Sequence, residues 1–378
     1  MSYRTLGQSC PRDEDERLVT GAGQFTDDVH LDGETWLTVV RSQVAAAEIK
    51  GLDLEEGSRM PGVVAVLTAT DIEADGLGEI QPRTRYGRPG GRDMAETRYA
   101  LLAKDRVRYI GEPVAVVVAE NRAQAEDAAE AVMIDYEILP AVCDAAEAVK
   151  EDAPAIWPDA PDNVAFATER GDREAVEAAF AEAHHVTRLD FRITRVSANP
   201  MEPRAALALH DEESGRTTLW VGTSQLHRVR HALADDVFRV DEKQLRIVSP
   251  DIGGNFGMKN GSSREMALTL WAARRLKRPV RWTATRSESF LSDYHARDNV
   301  STVELALDGQ GRFLALRLKM LAGLGAYVGP NTAGPPTNHL GSLAGVYRTP
   351  HIYAHVTGVL TNAQPTAPYR GAGRPEAI

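Results

Sequence analysis

Asp251-Ile-Gly-Gly-Asn-Phe-Gly-Met-Lys259 is a glycine-rich stretch between a strand-type run, Leu245-Arg-Ile-Val248, and a helix-type run over residues 264–276. A strand–loop–helix unit of this kind leaves backbone N–H groups free to face an anionic or oxo ligand, and the helix N-terminus adds a partial positive charge. Its glycines allow close approach and φ > 0. Phe256 is the odd member: a large apolar residue in such a loop is expected to shape a pocket. The loop lacks the G-x-G-x-x-G and G-x-x-x-x-G-K-[ST] spacings, which weighs against a nucleotide phosphate loop. Taken alone, it fits a structural turn as well as a binding loop.

Upstream, residues 35–40 and 63–67 read as strands, and residues 68–72 as a helix start. Residues 17–28 read as an irregular arm, and residues 74–97, rich in Gly, Pro and Arg, as a surface loop. A β-α-β unit follows: a buried strand over 114–119, a helix over 122–132 with Asn121 as N-cap, and a strand over 133–139 with Ile134, Tyr136 and Ile138 on one face. Glu112 and Asp135 read as a loop and a strand-face carboxylate. Residues 147–163 carry Pro154, Pro158 and Pro161 and form the expected linker between regions 1–146 and 164–378. Beyond it come a helix over 172–184, an alternating strand over 186–196 with Leu189, Phe191 and Ile193 on one side, and strands over 217–221 and 280–283. Strands over 300–307 and 313–321 flank Asp308-Gly-Gln-Gly311 as a hairpin. The class is α+β, that is, mixed α/β.

The 378 residues suffice for two or more cored domains. With 43 Lys plus Arg against 54 Asp plus Glu, the formal charge is -11, which argues against a nucleic-acid partner. Cys10 and Cys143 have no paired ligand spacing, so no zinc or iron–sulfur site is readable. They read as free thiols in a reducing cytosol. Met1-Ser-Tyr-Arg4 shows no basic-then-apolar leader, and no run reaches the ~18 apolar residues of a membrane span. Cytoplasmic location is the expectation.

Three further segments stand in order with the glycine loop: Asn199-Pro-Met-Glu-Pro-Arg204, Gly222-Thr-Ser-Gln225 and Pro368-Tyr-Arg-Gly-Ala-Gly-Arg-Pro-Glu376. Together the four resemble the large, molybdopterin-binding subunit of the molybdenum hydroxylases. That family contains xanthine dehydrogenase, aldehyde oxidase and aerobic carbon monoxide dehydrogenase. Tyr109-Ile-Gly-Glu-Pro-Val114 with Asp135-Tyr-Glu-Ile-Leu-Pro140 is similar to the α/β hammerhead domain that opens these subunits. The resemblance implies a hammerhead domain followed by the first part of a molybdopterin-binding domain.

It also implies roles for particular residues. The glutamine of the Thr-Ser-Gln segment, here Gln225, hydrogen-bonds a ligand of molybdenum in the family. From the residues alone, Ser or Thr would cap the following helical run (226–238) and Gln225 would lie in its first turn. Phe256 and Gly257 match loop residues whose backbone lies against the metal's ligand sphere, and Gly253 and Gly254 would permit that approach. Asn255 replaces the usual third glycine and also tolerates left-handed backbone. Arg370 matches an arginine of the family's Arg-Gly loop. Glu202, between Pro200 and Pro203, fits a structural role better than that of a base. His227 and His231 are spaced i, i+4 but lack the zinc-protease glutamate.

Two departures bear on substrate. Gly371 stands where carbon monoxide dehydrogenases carry a copper-binding cysteine, and Ala372 and Asn260 stand where purine-oxidising members use an aromatic residue and a glutamate. Aldehydes or N-heteroaromatic compounds are the expected substrates. The resemblance further implies a molybdenum–molybdopterin cofactor in its cytosine dinucleotide form. An FAD-binding medium subunit and a 2Fe-2S small subunit would be partners. The catalytic glutamate lies in the C-terminal half of the family's large subunit, beyond this chain, so a separate C-terminal half is a further expected partner. The alternatives are a non-catalytic remnant or an assembly partner of such a complex.

Overall fold

The structure, a computed structural model, describes residues 7–377. The leader reading at residues 1–4 lies outside them, as does Ile378. Pro113–Ala119 is apolar throughout and buried at every position, the pattern of a strand covered on both faces. It belongs to a seven-stranded sheet ordered Leu245–Val248, Arg216–Val221, Ala205–Asp211, Val280–Thr283, Thr35–Arg41, Pro113–Ala119, Val63–Thr68. Strands from the first third of the chain thus share one sheet with strands from its middle. The seam is a parallel pairing of Thr35 with Val280 and Trp36 with Arg281. The Thr35 N–H and hydroxyl both donate to the Pro279 carbonyl, at 2.8 and 2.9 Å.

The helix expected after Pro113–Ala119 is present as Arg122–Glu130, and the Asn121 side chain caps it by accepting the Gln124 N–H at 3.0 Å. The expected β-α-β unit does not close. Met133–Ile138 leaves the large sheet and pairs antiparallel with Ala47–Asp53 in a separate three-stranded sheet. Its alternating Asp135 and Glu137 suit a sheet with one wet face and not one covered on both sides. Ile138 is accordingly 63% exposed and does not share a buried face with Ile134 and Tyr136.

Other expectations also change. The arm is partly ordered, with a short helix at Asp15–Val19 and a 3-10 turn at Thr26–Asp28. Residues 74–97 are not confined to the surface, because Ile80, Met94 and Ala95 enter the main core. Glu112 is not a solvated loop carboxylate. It is fully buried and accepts the Arg108 N–H at 2.6 Å, the Tyr327 hydroxyl and the Arg264 guanidinium. Arg264 in turn lies 4.1 Å from the centre of the Tyr99 ring, so this cluster joins the first region to the second.

The second sheet has five strands, ordered Val164–Gly171, His351–Leu360, Phe313–Gly325, Asn299–Leu307, His185–Ile193. The hairpin is as expected, and Asp308 Oδ1 closes its turn by accepting the N–H groups of Gln310 and Arg312. Helix Arg173–Ala181, capped by Asp172, packs on one face through Val176 and Phe180. The single strand expected over 186–196 is divided: Val196–Ser197 pairs instead with His295–Ala296. Leu189, Phe191 and Ile193 do share a face, but it is open, with Leu189 59% exposed. No helix among the described residues is long and apolar enough to cross a membrane.

Beneath both regions lies a buried charge network. Arg204 binds Glu265 and Asp293, each at 2.6 Å, and Glu265 also takes Arg41 at 2.9 Å. Burial alone would raise the Glu265 pKa, but the adjacent Arg204 and Arg41 charges hold it well below the carboxylate range. Arg204→Met would strand the buried Asp293 carboxylate and leave Glu265 with Arg41 alone. It is expected to cost about 3–5 kcal/mol in urea unfolding, and an unchanged midpoint would show that the pairs contribute nothing. His295 offers a second check. Burial, reinforced by Arg195, lowers its pKa to about 4. Between about 4 and the ordinary 6.5 the unfolded chain binds the extra proton, so this contribution is full above pH 6.5 and is lost as pH falls toward 4. Urea stability should drop by about 2 kcal/mol more from pH 7 to pH 5 in the native chain than in His295→Gln; equal drops would refute it.

Candidate functional site

The Lys259 ammonium is the residue around which the site closes. It is 2% exposed and donates to Glu202 Oε2 at 2.8 Å, to the Glu202 carbonyl at 2.9 Å and to the Pro203 carbonyl at 3.3 Å. Burial pushes its pKa down, opposed by the charge of Glu202. Glu202 Oε2 also accepts the Gly253 N–H at 2.8 Å, while the Glu202 N–H donates to the Gly253 carbonyl at 3.1 Å. One carboxylate and one amine therefore lock the Asn199–Arg204 segment onto the glycine loop.

The Thr-Ser-Gln segment joins through hydroxyls. Thr223 Oγ1 donates to the Lys259 carbonyl at 2.8 Å and accepts the Gln225 N–H at 3.2 Å. Ser224 Oγ donates to Asn260 Oδ1 at 2.6 Å and accepts from Asn255 Nδ2 at 3.2 Å. Neither Thr223 nor Ser224 caps the helix. Gln225 is itself the residue before Leu226–Ala232, and its side chain makes no capping hydrogen bond. It stands half-buried at the helix entrance and not inside its first turn. The helical run continues only as a π-helical turn, Leu233–Phe238.

Within the loop, the non-glycine residue with left-handed backbone is Phe256, at φ 52, and not Asn255. Asn255 uses its side chain instead, with Oδ1 accepting the Gly257 N–H at 2.7 Å. That turn tips the Phe256 ring outward, where it is 40% exposed, and Gly254 lies under the ring. Gly257 has φ 95, and a Cβ there would meet the Pro368 carbonyl oxygen at 2.7 Å. Glycine is thus required where the last segment crosses the loop. The crossing is sealed by the Arg370 N–H, which donates to the Phe256 carbonyl at 2.9 Å.

The helix N-terminus expected to face a ligand does not take part. Arg264–Leu276 starts beyond the loop, and its first turn is buried and capped by Ser263. The donors at the rim are the half-buried Gln225 amide and the exposed Arg370 guanidinium, since the Gly253 and Gly257 N–H groups are taken by Glu202 and Asn255. The far end of the loop is tied down by a contact that nothing in the sequence signals. Asp251 binds the Arg17 guanidinium and accepts the Gln24 N–H at 2.9 Å, and these bonds lower its pKa to about 2. The Lys259–Glu202 lock was equally illegible, because opposite charges at residues 202 and 259 carry no spacing rule.

Gln225, Gly254, Phe256, Gly257 and Arg370 therefore sit on segments that are hydrogen-bonded to one another, with Glu202 behind them as a brace. His231 is elsewhere engaged, with Nδ1 2.9 Å from Glu242. Among the described residues no group of His, Cys, Asp and Glu could hold a metal ion. A neutral amide and a guanidinium form a donor set suited to an anionic, oxygen-rich group.

Comparison with known proteins identifies the two regions of the chain. Residues 20–140 match the aldehyde oxidase and xanthine dehydrogenase a/b hammerhead domain, and residues 156–378 match the molybdopterin cofactor-binding domain. The chain is 37% identical over 376 residues to the nicotine 6-hydroxylase large subunit of Paenarthrobacter nicotinovorans, covering 99% of this chain and 45% of that protein. It is 35% identical to the carbon monoxide dehydrogenase large chain of Afipia carboxidovorans, covering 94% and 44%. The crystal structure of quinoline 2-oxidoreductase from Pseudomonas putida 86 superposes with a TM-score of 0.88 at 35% identity, over 97% of this chain and 46% of that one. The chain thus spans about half the length of these relatives. With both domain matches in hand, the chain belongs to the xanthine dehydrogenase/aldehyde oxidase family of molybdopterin-binding proteins.

Proposed function

We propose that this chain is the cofactor-facing part of a molybdenum hydroxylase large subunit acting on an N-heteroaromatic or aldehyde substrate. The observation that carries it is the bond between the Arg370 N–H and the Phe256 carbonyl, which joins the Arg370 segment to the glycine loop that the Thr223 and Glu202 segments already hold. When bound, the molybdenum–pterin group supplies the redox chemistry, taking two electrons from a substrate C–H bond while the carbon gains water-derived oxygen and two protons are released.

The chain's own residues position and shield. Gln225 can donate from a neutral amide without changing the charge of the site. Arg370, permanently charged, offers a fixed fork to an anionic oxygen. Phe256 presents an aromatic face that suits a flat ring. Gly371 has φ 99, and a Cβ there would meet Pro375 Cγ at 2.4 Å. A cysteine is therefore disfavoured at this position, which supports a substrate other than carbon monoxide. Ala372 and Asn260 leave out the groups that purine-oxidising members use, and two relatives are named for nicotine and quinoline.

The general base, in this reading, comes from the part of the large subunit that these residues do not span. Electrons leave through an FAD-binding subunit and a 2Fe-2S subunit, the pterin is the cytosine dinucleotide, and the complex works in the cytoplasm. We place the boundary between the hammerhead and molybdopterin-binding regions in the linker 147–163, which the limits of the two domain matches support.

Purification from the native host should give near-stoichiometric molybdenum with the remainder of the large subunit and two electron-transfer chains, and hydroxylation of quinoline-type substrates with oxygen from labelled water. Gln225→Ala should lower kcat by about 100-fold, with metal content retained. A complex devoid of molybdenum would overturn the proposal in favour of a non-catalytic remnant.

A further inference from the structure

We propose that Arg297 is a positioning residue of this site, one that pins the Arg370 loop in register with the Phe256 loop. The inference rests on the functional reading above but is carried by backbone geometry. Arg297 and Asp298 lie between the short strand His295–Ala296 and the long strand Asn299–Leu307. Both are left-handed, at φ 69 and φ 72. Non-glycine residues seldom adopt this conformation, and two in succession persist only where their surroundings over-determine them.

Asp298 supplies the determination. Its carboxylate takes Arg195 Nη2 at 2.7 Å and Nε at 3.2 Å, and its carbonyl accepts the Gly323 N–H at 2.8 Å. The consequence falls on Arg297, whose side chain is directed onto the stretch 369–376. Its guanidinium sits 5.5 Å from the Tyr369 ring centre, Nη2 donates to the Arg370 carbonyl at 3.3 Å, and Nη1 pairs with the nearly buried Glu376 carboxylate.

The Arg370 N–H already donates to the Phe256 carbonyl at 2.9 Å. The peptide group on each side of the Arg370 Cα is therefore held, one by the Phe256 loop and the other by Arg297. Arg370 projects from a backbone with both ends fixed, although residues 371–373 all have positive φ of 99, 51 and 95. The strained pair at 297–298 is thereby coupled to the orientation of a cofactor-facing cation 73 residues away in sequence.

The test uses the full complex carrying Arg297→Ala, Arg297→Lys or Glu376→Gln, with hydrogen exchange over residues 368–376 as the first readout. Arg297→Ala should speed exchange of the Arg370 N–H about fivefold or more and leave strand Pro113–Ala119 unchanged. It should lower kcat about 10- to 100-fold with little change in KM, and it should alter the paramagnetic signal of the reduced metal. Arg297→Lys should recover part of each effect. Glu376→Gln should loosen residues 374–376 while the Arg370 N–H stays protected. Unchanged Arg370 exchange in Arg297→Ala would overturn the proposal, as would faster exchange with unaltered kcat and metal signal. Exchange can be measured whether or not the complex turns over substrate, so failure of the functional reading and failure of this inference are separable.

Discussion

The bond from Arg204 to Glu265 is the constraint on which the other parts depend. Arg204 ends the Asn199–Arg204 segment that braces the glycine loop, and Glu265 opens the buried helix behind that loop. Because Glu265 also binds Arg41, the brace reaches into the strand Thr35–Arg41 of the first region. An ion pair so deeply buried contributes little net stability against a well-packed apolar alternative, but removing one partner is severe. Its contribution is positional: Arg204 ties the segment that braces the loop to the helix behind it. Lys259 and Glu202 repeat the device one layer nearer the surface.

Local patterns were the most legible part of the fold. The unbroken apolar run at 113–119 gave a buried strand, Asn121 a helix start, Asp308-Gly-Gln-Gly311 a hairpin, and the alternation at Leu189, Phe191 and Ile193 a shared face. What failed was partnership. Met133–Ile138 has the spacing of a returning strand, yet it pairs in another sheet, because strand period says nothing about which edge is free. Leu189 follows the rule for a buried face and lies open, since alternation identifies a face without saying what covers it.

The site divides in the same way. Gln225, Phe256, Gly257 and Arg370, the residues proposed to face the cofactor, lie in segments recognisable as short strings. Their local conformations were less legible. Asn255 seemed the natural left-handed residue, but its side chain accepts the Gly257 N–H and passes the positive φ to Phe256, which exposes the ring. Arg17, Arg297 and Glu202 act on the site through tertiary contacts spanning many residues, and no spacing within the chain announces them. The helix N-terminus, the most quoted feature of strand–loop–helix units, is occupied by its own cap and plays no part.

The parallel seam at Thr35 and Val280 also has a bearing on how the chain is made. In the finished sheet Thr35–Arg41 is an interior strand, but its partner on one side is 244 residues further along, as the Thr35–Pro279 bond measures. At ordinary rates of synthesis, roughly 5–20 residues per second, that side waits on the order of ten to fifty seconds for its partner. During that interval the nascent chain carries an open strand edge of apolar character, Trp36-Leu-Thr-Val-Val40, of the kind that recruits foreign strands. The hammerhead region therefore cannot complete its sheet as it leaves the ribosome, and the edge of Thr35–Arg41 stays open until Val280–Thr283 has been made.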